Sequence, residues 1–174
     1  GGVGVMVGKR AGGEEKVAQL LATPAAGRFS RVEPMLGPID LWSPKFKTYG
    51  KPGLTGAITG WVGSGLDWVI CGGETGGQAR PVHSDWVRGL RDQCRAAVTP
   101  FFFKGWGEWR GWRPEDGDNR HVLSPAGQYW SSADYAAAII VDESERNRLT
   151  RVAKVGKNKS GRLLDGVEHN DFPW

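Results

Sequence analysis

The sequence predicts an α/β fold: a partial (β/α) barrel of about four parallel strands followed by an irregular C-terminal extension. Three observations carry this. Short apolar runs take turns with amphipathic helical stretches, which is the order of parallel βα units. The runs are nearly continuous rather than alternating, as expected of strands covered on both sheet faces. Four of them are too few to close a barrel that needs eight, so they would form half of one. Residues 1–110 hold the βα units, interrupted by an irregular excursion over 42–65, and 111–174 form the extension of loops and short strands.

Val3 to Val7 is a valine-rich run bounded by glycines and reads as a buried strand. Gly12-Gly13-Glu14-Glu15 then leads into Val17, Ala18, Leu20 and Leu21 at helical spacing, and Thr23-Pro24 ends that helix. Arg28 to Glu33 is the second strand, broken by Pro34 and Gly37-Pro38. The excursion is rich in Gly, Pro, Ser and Lys, with a short hairpin expected around Ala57 to Val62. Leu66 to Cys71 is the third strand. Ser84-Asp85 opens the clearest helix, with Trp86, Val87, Leu90, Cys94 and Ala97 at three- and four-residue steps. Thr99-Pro100 stops it, and Phe101-Phe102-Phe103 begins the fourth strand. Residues 105–135 read as loops, Ala136 to Val141 as a helix end or strand, and Leu149 to Val155 as a strand.

Composition sets bounds on function. Among 174 residues the 27 glycines point to many tight turns, and the net charge of +4 suits phosphate-bearing partners without requiring them. No apolar run reaches the roughly 20 residues of a membrane span, and there is no signal-peptide start, so a cytoplasmic setting without membrane contact is expected. The two cysteines are too few for a disulfide framework. The chain opens without Met, directly in a strand-like run, and is read as a fragment.

In parallel sheets and barrels, ligands sit beyond the carboxyl ends of the strands. That rule selects Lys9 and Arg10, Glu33, Glu74 and Lys104. Cys71-Gly72-Gly73-Glu74 is the most distinctive run: the two glycines would leave the strand end open to a ligand, with Glu74 accepting its hydrogen bonds. The alternative is a tight strand-to-loop turn. The run lacks the Lys and Ser/Thr of a phosphate P-loop. Arg80 could clamp a carboxylate or phosphate bidentately. Glu33 would accept hydrogen bonds from a substrate or, more blandly, pair with Arg31. In Lys104-Gly105-Trp106-Gly107-Glu108-Trp109, the lysine follows three phenylalanines, and Trp106 or Trp109 would stack on a planar ligand or plug the barrel mouth. His83, His121 and His169 pair with no Cys at metal spacing and are assigned to no metal; His83 reads as a helix entry. Cys71 and Cys94 read as buried small hydrophobes.

Three stretches, LLATPAAGRFSRVEPMLGPIDL, LDWVICGGETGGQARPVHSDWVRGLRDQC and PFFFKGWGEW, together with the closing VGKNKSGRLLDGVEHNDFP, resemble the phage-associated family named after phage gene products thirty-seven and sixty-eight, a group of unknown function. The resemblance implies a radical-SAM-like barrel, of which this chain is the C-terminal part. Full-length members are expected to hold a 4Fe-4S cluster and S-adenosylmethionine through a cysteine motif near the N-terminus. This chain has no such motif, and a 4Fe-4S cluster needs three or four thiolates.

We therefore expect the chain to supply Glu33, Gly72, Gly73, Glu74, Arg80, Lys104 and Trp106 to a substrate or cofactor pocket of a radical-SAM-like enzyme. Alone it would bind no cofactor and perform no radical chemistry; a missing N-terminal half would carry the cluster. The competing reading is a non-catalytic module that binds single-stranded nucleic acid through the Trp/Arg-rich stretch 104–113. A third is a degenerate remnant without activity. The sequence names no substrate.

Overall fold

The computed structural model describes residues 1–8, 13–41, 65–134 and 146–173. Strands β1 (Gly2–Met6), β2 (Gly27–Val32), β3 (Trp68–Gly72) and β4 (Phe101–Gly105) form a parallel sheet in the order β1-β2-β3-β4. Helix α1 (Gly13–Ala22) connects β1 to β2, and α2 (Ser84–Ala96) connects β3 to β4. Each strand therefore lies beside its predecessor in sequence, and all carboxyl ends point one way. Lys9, Arg10, the hairpin expected at 57–62 and the run 136–141 lie outside the described residues.

Helix α2 shows why the elements form where they do. His83 is its N-cap and accepts the Asp85 amide at 3.1 Å through Nδ1. Trp86, Val87, Leu90 and Cys94 then recur on one buried face. They join Val17 and Leu20 of α1 and Val32, Val69, Cys71, Phe101 and Phe103 of the sheet in one core.

Burial of the strands corrects the expectation of a sheet covered on both faces. Val69, Cys71, Phe101 and Phe103 are buried, whereas Phe29, Trp68, Ile70 and Phe102 on the opposite face are only half-buried. That second face is covered by a thin strip. Trp68 Nε1 donates to the Asp171 carbonyl at 2.8 Å, and the Phe172 ring lies 5.4 Å from Trp68 and 5.6 Å from Phe102. The strip also occupies the free edge of β4, where the Phe103 amide donates to the His169 carbonyl and Phe102 bridges Asn170. The buried strand expected at Val3 to Val7 is instead an exposed edge strand. Val3 and Met6 are 40% and 54% exposed, and among the described residues β1 pairs on one side only.

The second half is more ordered than its sequence suggests. Strands β5 (Trp109–Gly111), β6 (His121–Leu123), β7 (Tyr129–Trp130) and β8 (Thr150–Lys154) form an antiparallel sheet in the order β5-β8-β6-β7. The loops expected over 105–135 thus contain three strands, each too short to leave a readable period. The strand expected over 149–155 appears as β8, at the sheet's interior. The fold is accordingly a mixed α/β arrangement of one parallel and one antiparallel sheet, with the changeover between Gly105 and Trp109. A one-turn helix, α3 (Lys157–Ser160), follows β8 between two left-handed glycines, Gly156 and Gly161. Among the described residues, no helix is long and apolar enough to cross a membrane.

Candidate strand-end site

The parallel sheet brings the carboxyl ends of β2, β3 and β4 together, and a bulge re-aims the last of them. Cys71 pairs with Phe103, but Gly72 pairs with Gly105, so Lys104 is an extra residue without a partner across the ladder. Its side chain is exposed, and its ammonium donates to Glu33 Oε1 at 2.8 Å. Glu33 Oε2 accepts from Arg31 Nε at 2.8 Å. Burial pushes the Glu33 carboxyl up, but the hydrogen bonds from Lys104 and Arg31 outweigh it and hold the group below its usual range. Glu33 is thus an ionised carboxylate between two cations, with its side chain only 13% exposed.

A cleft of about 220 Å³ opens beside this pair. Glu33, Gly73, Lys104 and Trp106 line it together with Lys157, Ser160 and Arg162. The backbone beneath it is closely packed. A Cβ on Gly73 would lie 2.2 Å from the Trp106 carbonyl oxygen, and one on Gly107 would lie 2.1 Å from that of Glu74. Gly73 therefore admits the neighbouring turn of the chain itself, whereas a Cβ on Gly72 would meet only the Glu33 and Lys104 side chains, at 3.4 Å. Ser160 is buried and donates to the Gly107 carbonyl at 2.6 Å, tying α3 to the same turn. Glu108 completes the brace, accepting from the Gly76 amide at 3.0 Å and the Lys157 amide at 3.1 Å.

The structure brings Glu33, Gly72, Gly73, Lys104 and Trp106 together and separates Glu74 and Arg80 from them. Glu74 accepts from Arg80 three times, from Nε, Nη2 and the backbone amide, each at 2.8 Å. Those bonds hold its carboxyl below the usual range, and Arg80 lines a different cleft. Trp106 is half-buried, packs edge-on against Phe103 at 4.9 Å, and donates to the Leu163 carbonyl. Trp109 is 5% exposed and donates to the Ala79 carbonyl, so most of its ring is buried, and what remains lines the cleft of Arg80 rather than the strand-end cleft.

Lys157, Ser160 and Arg162 were not selected from sequence, because they follow an antiparallel strand and the strand-end rule does not reach them. The signal available was the basic, glycine-flanked turn within the closing stretch. Arg162 is the most telling of the three. Its guanidinium lies over the Phe102 ring at 5.3 Å, Nη2 donates to Asn170 Oδ1, and Nε is buried without a hydrogen-bond partner.

Both cysteines are free and buried in the core. Burial pushes the thiol of Cys71 far up and that of Cys94 up to about 12. Among the described residues no group of His, Cys, Asp or Glu could hold a metal ion.

The fold and the site define a mixed α/β protein with a basic cleft at the ends of its parallel strands. Residues 2–173 match the model of a family described as proteins of unknown function, DUF5131, and the chain belongs to that family. The match carries no link to phage gene products or to radical-SAM enzymes. No curated protein and no solved structure matched the chain.

Proposed function

We propose that the chain is part of a radical-SAM-like (β/α)-barrel enzyme and that its own contribution is the strand-end cleft, which takes the anionic end of a substrate or cofactor. The observation that carries this is the bulged Lys104, paired to Glu33 and lining one cleft together with Lys157 and Arg162. Among the described residues three cations line that small space against one carboxylate. The consecutive parallel order, the β1 edge that pairs with no further strand among the described residues, and the half-buried aromatic face support a sheet continued by further strands.

The residues present do not fit a 4Fe-4S cluster, since both thiols are buried, protonated and inside the core. Cluster ligands would come from outside the described residues. The cleft is also below the roughly 300–1,000 Å³ of a small-molecule site, so it suits one charged end of S-adenosylmethionine or of a substrate, not the whole molecule. Within it Lys104 and Arg162 bind the anion, and Glu33 holds Lys104 in place.

Two measurements test the reading. Anaerobic treatment with iron and sulfide should give no stable iron–sulfur absorption with this chain alone; a stable band overturns that part. Titration with acetate and inorganic phosphate should shift the amide resonances of Gly105, Gly161 and Arg162 in the native chain and not in Lys104→Met. Absent shifts, or equal shifts in the variant, sink the cleft assignment.

A second reading, binding of single-stranded nucleic acid, is favoured by an adjoining groove. Arg88, Arg110, Arg113 and Lys159 line it with Trp106 and Trp112, and among the described residues no carboxylate does. Bases would stack on Trp112, and phosphates would meet Arg113 and Lys159. Oligonucleotide binding that weakens with salt and with Trp112→Ala and Lys159→Ala supports this reading; salt-independent or absent binding removes it.

A further inference from the structure

A larger cleft, of about 700 Å³, opens between the loop at 77–81 and the antiparallel sheet. Its apolar lining is Trp86, Trp109 and Leu123, and its polar lining includes Arg80, Asn119, His121, Tyr129 and Lys154. The volume falls within the range of small-molecule sites, and so does the composition, an apolar surface with a few placed polar groups. None of this overlaps the strand-end cleft.

The polar groups form a directed chain. Asn119 Nδ2 donates to the Lys154 carbonyl at 2.9 Å. A carbonyl can only accept, so the amide's orientation is fixed and Oδ1 faces His121 Nε2 at 3.1 Å. Oδ1 also can only accept, which places the ring proton on Nε2. In the neutral ring Nδ1 is then an acceptor, and the Tyr129 hydroxyl donates to it at 2.7 Å. One backbone carbonyl on β8 thus sets the direction of three hydrogen bonds. The ring is held neutral: burial lowers His121, and the Lys154 ammonium lowers it further. Burial, helped by Asp134, raises Tyr129, so the phenol keeps its proton.

With its proton committed to His121, the Tyr129 oxygen faces the cleft as an acceptor. The two cations still have donors to offer. Among the described residues Lys154 gives one N–H to the Gly77 carbonyl and keeps two, while Arg80 uses Nε and Nη2 on Glu74 and keeps Nη1. The Lys154 ammonium stands 5.9 Å from the centre of the Trp109 ring, and among the described residues no carboxylate lines the cleft.

The geometry points to a second ligand site here, for a small planar organic anion. Its carboxylate or phosphate sits on Lys154 and Arg80, its ring lies against the Trp109 wall, and an N–H or O–H of the ligand donates to the Tyr129 oxygen. Asn119 and His121 are positioning residues, holding that oxygen in its accepting role.

Adenosine monophosphate and indole-3-carboxylate carry this chemistry with a phosphate and a carboxylate respectively, and serve as probes. Calorimetry on the native chain should show saturable binding of at least one of them, and which one binds identifies the anion. Lys154→Met should weaken it about tenfold or more, the loss of a charged hydrogen bond. Tyr129→Phe, which keeps the ring, should weaken it about three- to tenfold. In the native chain the His121 ring-nitrogen resonances should report a proton on Nε2 and move with bound probe. A chain that merely ties β6, β7 and β8 together predicts the Nε2 proton but neither the binding nor the shift on adding probe. Failure of both probes to saturate at millimolar concentration overturns the proposal, as does binding to both folded variants at native strength. Lys104→Met should leave the binding unchanged, so this site and the strand-end cleft stand or fall separately.

Discussion

The two sheets hold their polar groups in different ways. At the ends of the parallel strands, polar side chains are held by charge: Lys104 and Arg31 on Glu33, and Arg80 on Glu74. In the antiparallel sheet, Tyr129, His121 and Asn119 form a chain of neutral hydrogen bonds directed by one carbonyl. Ion pairs tolerate small changes of geometry, because Coulomb attraction is weakly directional and their partners are long and partly exposed. The neutral chain requires each atom in its place, which strand register supplies: His121 faces Val152 across β6 and β8, and Leu123 faces Tyr129 across β6 and β7. The first arrangement suits capture of charge, the second discrimination among ligands.

The sharpest way to break the comparison is at the turn that joins the sheets. Gly107 has φ of +75°, and a Cβ there would lie 2.1 Å from the Glu74 carbonyl oxygen, which is backbone and cannot swing aside. Gly107→Ala should cost about 3 kcal/mol or more from the left-handed strain and the clash together. For a chain of this size that lowers the melting temperature by roughly 6–12 °C, measurable by circular dichroism. Both the Lys104 cleft and the position of Trp109 depend on this turn, so amide exchange should speed in both sheets. Loosening of one sheet alone would show that the halves are held independently.

A smaller effect isolates the charged end. Glu33→Gln keeps the shape but leaves Lys104 and Arg31 without their carboxylate. Since both cations are partly exposed, solvent recovers much of the loss, and about 1 kcal/mol is expected in chemical denaturation. The same substitution should flatten the acid limb of stability. Glu33 and Glu74 are depressed in the folded state, so their contributions are present above the unfolded value near 4.3 and vanish as pH falls through the lower folded values. An unchanged acid limb would mean the carboxylate contributes nothing to the fold.

The difference between the regions also explains what could be read from the sequence. Strands β2 to β4 and both long helices were legible, because apolar runs and the 84–97 periodicity are local signals, and sheet direction then places Glu33 and Lys104 at one end. Pairing of Glu33 with Lys104 across 71 residues was half-visible: Arg31 was named as its partner, Lys104 only as a neighbour. For Trp109 the sequence leaves a stacking ring and a buried plug both open, because the strand that buries it has three residues and no period. Nothing local marks Asn119, His121 and Tyr129 as a unit, since register across β6, β7 and β8 creates it. Arg162 was missed for the same reason: the tail that carries it runs back along β4.

The smallest expected effect separates the two regions by pH alone. His121 and His83 are both lowered in the folded state, His83 by burial above all, where it caps α2 and meets the Arg148 carbonyl of the segment before β8. An unfolded histidine takes its proton near 6.5, so the unfolded chain binds more protons than the folded one just below that pH. Stability from the two rings is therefore present above about 6.5 and declines as pH falls through their lower folded values, before the carboxylate pairs begin to fail. Between pH 7.5 and 5.5 the loss at His121 should stay under about 1 kcal/mol, given its partial exposure. His121→Gln should remove that part of the slope and leave the Glu33 limb intact, while Glu33→Gln should do the reverse. Slopes that move together under either substitution would mean that the strand-end charges and the neutral chain belong to one coupled network.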